Sequence, residues 1–137
     1  MGRVINNSTP AKSRNRYRRA IAEILRHLSQ KPALDEETKD MAAMIVFLLR
    51  EIDSGVEQTI SAWEKRGYWL KADRFRLQWE WAGQMSASLE KALRADDWGA
   101  IAMNCVKLGE KVADIKLPKK PRIGQPWDGA WEKLQTG

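Results

Sequence analysis

The sequence predicts an all-α protein: an antiparallel bundle of four main helices, then a proline-rich C-terminal tail with a short terminal turn. Three observations carry this. Apolar residues recur at three- and four-residue intervals in one stretch after another, the period of a helix face. No stretch alternates apolar and polar residues with the β-branched enrichment of a strand. Proline, glycine and paired acids fall between the periodic stretches, where helices must stop and start. The division expected is a bundle over residues 1–115 and a tail over 116–137 that packs on the bundle or on a partner.

The first helix is announced by "STP", with Ser8 or Thr9 as cap and Pro10 in the first turn. Its stripe is Tyr17, Ile21, Ile24 and Leu28, edged by Ala20 and Leu25. Pro32 disfavours helix at Lys31. Asp35, Glu36 and Glu37 then suit the positive end of a second helix carrying Met41, Ile45, Leu48, Ile52, Val56, Ile60 and Trp63. The stripe runs through Asp53–Gly55, which favours one continuous helix there. Gly67 offers a stop. Tyr68, Ala72, Phe75, Trp79, Ala82, Ser86, Leu89 and Leu93 follow as the seam of a third helix. Asp96 or Asp97 caps a fourth, with Trp98, Ile101, Cys105, Leu108, Val112 and Ile115 as its seam. "KLPKKPRIGQPWDGAW" has too many breakers to be helical, and a last turn presents Trp127, Trp131 and Leu134 on one side.

With 137 residues the chain has the usual size of one domain, and its 43% hydrophobic and 31% charged residues are those of a globular protein. One cysteine allows no intrachain disulfide and fits a reducing compartment. The N-terminus "MGRVINNSTP" lacks the apolar core of a signal peptide. The longest apolar run, "MAAMIVFLL", falls short of the roughly 20 residues of a membrane span. A cytoplasmic protein is expected.

Reaction chemistry leaves no trace. His27 lies at the edge of one stripe and Cys105 on another, positions that packing explains. No Cys/His set has metal-ligand spacing, and there is no Glu-x-x-His pair, phosphate loop or Gly-x-Ser-x-Gly elbow. No enzyme, catalytic residue, metal, cofactor or small-molecule substrate is expected.

The charge distribution is more telling. The net charge of +6 and pI of about 9.6 favour acidic partners. Residues 1–31 hold eight Lys or Arg and a single acid, Glu23, whereas residues 32–62 are acidic. On a helical wheel, Lys12, Arg16, Arg19 and Arg26 fall between about 180° and 260° from Tyr17, opposite the apolar stripe. Arg18 lies beside this face and Arg14 nearer the stripe. Such a one-signed row can follow a phosphate backbone. "YWLKADRFRLQWEWA" adds large rings among cations. Tyr68, Phe75 and Trp79 belong to the core seam. Leu70, Arg74, Leu77 and Trp81 form a second stripe on nearly the opposite side, and Arg66, Lys71, Arg74 and Arg76 surround it. Rings beside arginine suit base stacking, and a second apolar stripe suits a protein partner. The tail adds Lys119, Lys120 and Arg122 to the basic set, and Trp127 and Trp131 to the possible partner anchors.

In size, helix count, "RNRYRRA" and "KRGYWLKADRFRLQWEW", the chain resembles the small subunits of CRISPR effector complexes. The resemblance implies a compact, non-catalytic, all-helical subunit of a ribonucleoprotein used in antiviral defence. It implies contact with RNA or DNA backbone, and with other protein subunits or further copies of itself. Two other readings stand beside it. "VEQTISAWEKRGYWLKADRFR" resembles the recognition helix and basic wing of a winged-helix DNA-binding regulator. The second stripe and the tail tryptophans also suit a helical protein–protein adaptor.

Overall fold

A computed structural model describes residues 9–120 and 123–137. They form five helices: α1 (Pro10–Ser29), α2 (Glu36–Lys65), α3 (Trp69–Arg94), α4 (Trp98–Lys111) and α5 (Ala130–Thr136). No strand occurs among the described residues. Trp69–Arg94 is one helix, where a winged-helix regulator would need the two short strands of a wing.

Helices α1, α2 and α4 begin where a side chain satisfies an amide of the first turn. Thr9 Oγ1 accepts from the Lys12 N–H at 3.1 Å, with Pro10 in the first turn. Asp35 and Thr38 exchange hydrogen bonds in a capping box at the start of α2. Asp97 accepts from the Ala100 N–H at 3.0 Å. Helices α2 and α3 both end in the paired backbone bonds that close a helix over a left-handed residue. At α2 that residue is Gly67, and at α3 it is Asp96, with φ of +54°. Lys39 pairs with the Asp96 carboxylate and holds this turn against α2.

The centre is α2, continuous through Asp53–Gly55 and about 45 Å long at 1.5 Å per residue. It packs against α1, α3 and α5, while α4 packs chiefly on α3. Partners on α2 and α3 run in opposite senses: Trp63 meets Phe75, Glu64 meets Arg76, Arg50 meets Glu90, and Lys39 meets Asp96. Midway, a Cβ on Gly83 would stand 2.9 Å from the Asp53 carboxylate, so the missing side chain lets the two helices close there. The core is aliphatic, with Ile21, Ile24, Ile45, Leu49, Ile52, Ile60, Leu89, Leu93 and Leu108 almost wholly enclosed.

One expectation is corrected here. The fourth helix ends at Lys111, not near Ile115. Arg18 donates to the Lys111 carbonyl at 2.8 Å and pairs with Asp114, which stops the helix and turns the chain. The tail packs on the bundle. Pro118 O accepts from Arg26, the Ile123 N–H donates to Glu23, and the Trp127 indole N–H donates to Glu37 at 3.2 Å. The Trp131 N–H donates to Asp40 at 2.9 Å, and Leu134 enters the core. The tail is therefore a strap that crosses α1 and docks on α2 with α5.

The strap explains the burial of α1. Ile21, Ala22, Glu23 and Ile24 are consecutive and all buried, so one turn of the helix is enclosed all round. Glu23 lies on the side read from the sequence as an open basic face. The apolar pattern locates the side that packs on α2. It carries no mark of the extended segment that covers the other side.

Candidate nucleic-acid interface

The basic residues singled out by sequence fall into two kinds. Inside α1, three are bound to the protein itself. The Arg14 guanidinium lies 4.9 Å from the Phe75 ring centroid and 5.2 Å from that of Trp79, and burial pulls its pKa down. Arg18 holds the end of α4, and Arg26 holds Pro118. They tie helices and strap together and do not form a continuous phosphate-binding row. Lys12 and Arg19 are exposed on the same helix. Arg16 is exposed and lies 5.4 Å from the Tyr17 ring. Arg76 is held by Glu64 at 3.0 Å and Asp73 at 2.8 Å, and the hydrogen bond to Glu64 above all raises its pKa.

Most rings of "YWLKADRFRLQWEWA" are also accounted for. Trp63, Phe75, Trp79 and Trp81 form a ladder with successive centroid distances of 5.0, 6.4 and 5.8 Å. Cations flank it: Lys71 lies 4.4 Å from Trp63, Arg14 lies against Phe75 and Trp79, and Lys111 lies 5.7 Å from Trp81. The ladder joins all four long helices. All four of its rings are partly buried against the core. Trp81, read as a candidate partner contact, is one of its rungs.

The free end of the α2–α3 hairpin differs. Here Tyr68 is 51% exposed and Trp69 62%. Tyr68 is corrected from core to surface. It precedes the first turn of α3, in the loop that closes α2. Lys65, Arg66, Lys71 and Arg74 are exposed around these rings, while the nearby acids Glu64 and Asp73 face Arg76. The first turn of α3 holds no acid. A shallow cleft of about 810 Å³ opens here, lined by Trp63, Tyr68, Trp69, Lys71, Arg74 and Gln78 among others. Leu70 and Leu77, 64% and 69% exposed, lie along the outer side of α3 with Arg74 between them.

The tail contributes less than its composition suggests. Lys119 and Lys120 are exposed, and Arg122 lies outside the described residues. Trp127 is 1% exposed and sits against His27 at 5.3 Å, so it anchors the strap within the chain and is corrected from its place among partner contacts. Trp131 is half-buried against the same core. Trp69 and Lys65 belong to no stripe read from the sequence. The available signal was Gly67, since a helix-ending glycine places the residues beside it at a tip.

No group of three or more His, Cys, Asp or Glu that could hold a metal ion occurs among the described residues. No helix among them is long and apolar enough to cross a membrane. Comparison with protein-family models, with curated proteins and with solved structures gives no match.

Proposed function

We propose that this chain is a non-catalytic, nucleic-acid-binding subunit of a larger cytoplasmic assembly. Its scaffold is an antiparallel four-helix bundle clasped by its own tail, and its contact surface is the free end of the α2–α3 hairpin. One observation carries the reading: Lys65, Arg66, Lys71 and Arg74 surround two exposed rings where the nearest acids are already paired. Cations without local counter-charges attract a polyanion, and exposed rings beside them offer stacking faces. Lys12 and Arg19 add exposed cations on α1. A small helical subunit of a ribonucleoprotein, as in the CRISPR effector complexes the sequence resembles, is the kind of protein this describes.

Lysine acylation read by mass spectrometry tests the location. A mixed-sequence oligonucleotide is expected to protect Lys65 and Lys71 more than Lys107 or Lys133. Equal protection everywhere, or none, contradicts the assignment.

Leu70 and Leu77 favour a second reading, in which the hairpin's outer side meets a protein subunit. The double variant Leu70→Ser/Leu77→Ser then loses co-assembly and keeps nucleic-acid binding. Loss of nucleic-acid binding alone assigns this side to the nucleic acid.

A further inference from the structure

We infer that the hairpin end takes single-stranded nucleic acid in preference to duplex, with Trp69 as the principal stacking platform. The inference rests on the proposed function and narrows it. A duplex hides the faces of its bases and presents a uniform wall of phosphates. A row of cations alone therefore suffices to hold it. The hairpin end is built otherwise. Its rings stand out from the protein: Trp69 has 62% of its surface open and Tyr68 51%, although an exposed indole gains nothing from the protein's own core. Neither ring joins the ladder formed by Trp63, Phe75, Trp79 and Trp81 among the described residues.

The same molecule shows how it treats a ring that serves the fold. Trp63, Trp79 and Trp81 are each packed against another ring and faced by a cation of the chain. Trp69 has neither a ring nor a cation partner of this kind among the described residues. Lys71 and Arg74 are three residues apart, hence neighbours on one side of α3, and both line the cleft with Trp69. This places positive charge for the backbone next to a free π-face for a base. An unpaired strand supplies both within one nucleotide step, and an intact duplex supplies only the first.

The charge pattern separates this occupant from an acidic peptide. A peptide's carboxylates would satisfy the cations but leave the ring faces uncovered. The cleft, about 810 Å³ in volume, has room for a flat group beside the helix.

The test uses the full chain and fluorescein-labelled oligothymidylate, with a mixed-sequence strand and its duplex of equal length as comparison. The single strands are expected to bind roughly tenfold or more tightly than the duplex. Trp69→Ala should weaken single-strand binding by roughly tenfold while leaving the salt dependence unchanged, because a ring contributes no counterion release. Trp69→Phe should recover most of the affinity, and thermal melting should be the same for all three chains. Duplex binding as tight as single-strand binding, or an unchanged affinity in Trp69→Ala, overturns the inference and leaves nucleic-acid binding in place. Failure to bind either form overturns both.

Discussion

Arg14 and Arg74 carry the same guanidinium and have opposite surroundings. Arg14 lies between α1 and the aromatic ladder, while Arg74 is exposed on the hairpin. Arg14→Gln is therefore expected to cost stability, about 1 kcal/mol for the lost ring contacts, measurable by denaturant unfolding. Arg74→Gln should leave the unfolding midpoint unchanged. Trp127 is the most consequential single side chain of the tail. Trp127→Ala should destabilise the chain by about 3–5 kcal/mol, because a cavity opens between α1, α2 and the strap. An effect below about 1 kcal/mol would mean that Trp127 is not enclosed as described. Cys105 also reports on packing: burial pushes its thiol pKa up to about 11. A thiol-reactive reagent at mildly alkaline pH should modify native chain slowly and denatured chain fast. Equal rates would contradict the burial.

Among the elements, α2 and α3 were the most legible in the sequence. Their seams recur at helical spacing, and nearly every seam residue of α2 is buried. The helix starts were readable to within a residue or two for the same reason, since Ser8 or Thr9, the acids Asp35 to Glu37, and Asp96 or Asp97 mark them along the chain; the caps stand at Thr9, Asp35 and Asp97. The strap was not readable. Its contacts join residues about 90–100 positions apart, such as Arg26 with Pro118 and Glu23 with Ile123, and no local period encodes them. This also explains why the basic side of α1 is partly covered. A wheel shows which α1 residues point away from α2, and it cannot show that the chain returns to cover them. The hairpin end was half-legible, because Arg66, Lys71 and Arg74 were marked by charge while Trp69 lay off every stripe. Removing residues 116–137 should thus lower thermal stability at least as much as Trp127→Ala. A truncated chain that melts like the full one would show the strap to be dispensable.

Over the whole molecule, charge is divided between structure and surface. Lys31 holds Glu37 and Asp35 below the ordinary carboxylate range, and Arg18 does the same for Asp114. A carboxylate depressed in the folded state stabilises the fold above its unfolded pKa, near 4, and that contribution is lost as pH falls through the folded value. The melting temperature should thus be nearly flat from about pH 7 to 5 and fall below about pH 4. Since Glu37 and Asp114 flank the strap, amide exchange in residues 123–134 should rise first as the solution is acidified. A melting temperature that does not change down to about pH 3 would show that these pairs contribute nothing.

The cations outside these pairs, at the hairpin end, carry the proposed function. Its most direct test is the salt dependence of single-strand binding, followed by fluorescence anisotropy, for the native chain and for Arg66→Gln/Lys71→Gln/Arg74→Gln. Each phosphate contact adds about 0.7 to the slope of log affinity against log salt, so the triple variant should lose about two units of slope. It should bind weakly at every salt concentration and stay folded, losing no more than about 1 kcal/mol with the contact of Lys71 over Trp63. An unchanged affinity and slope in the folded triple variant would contradict the account.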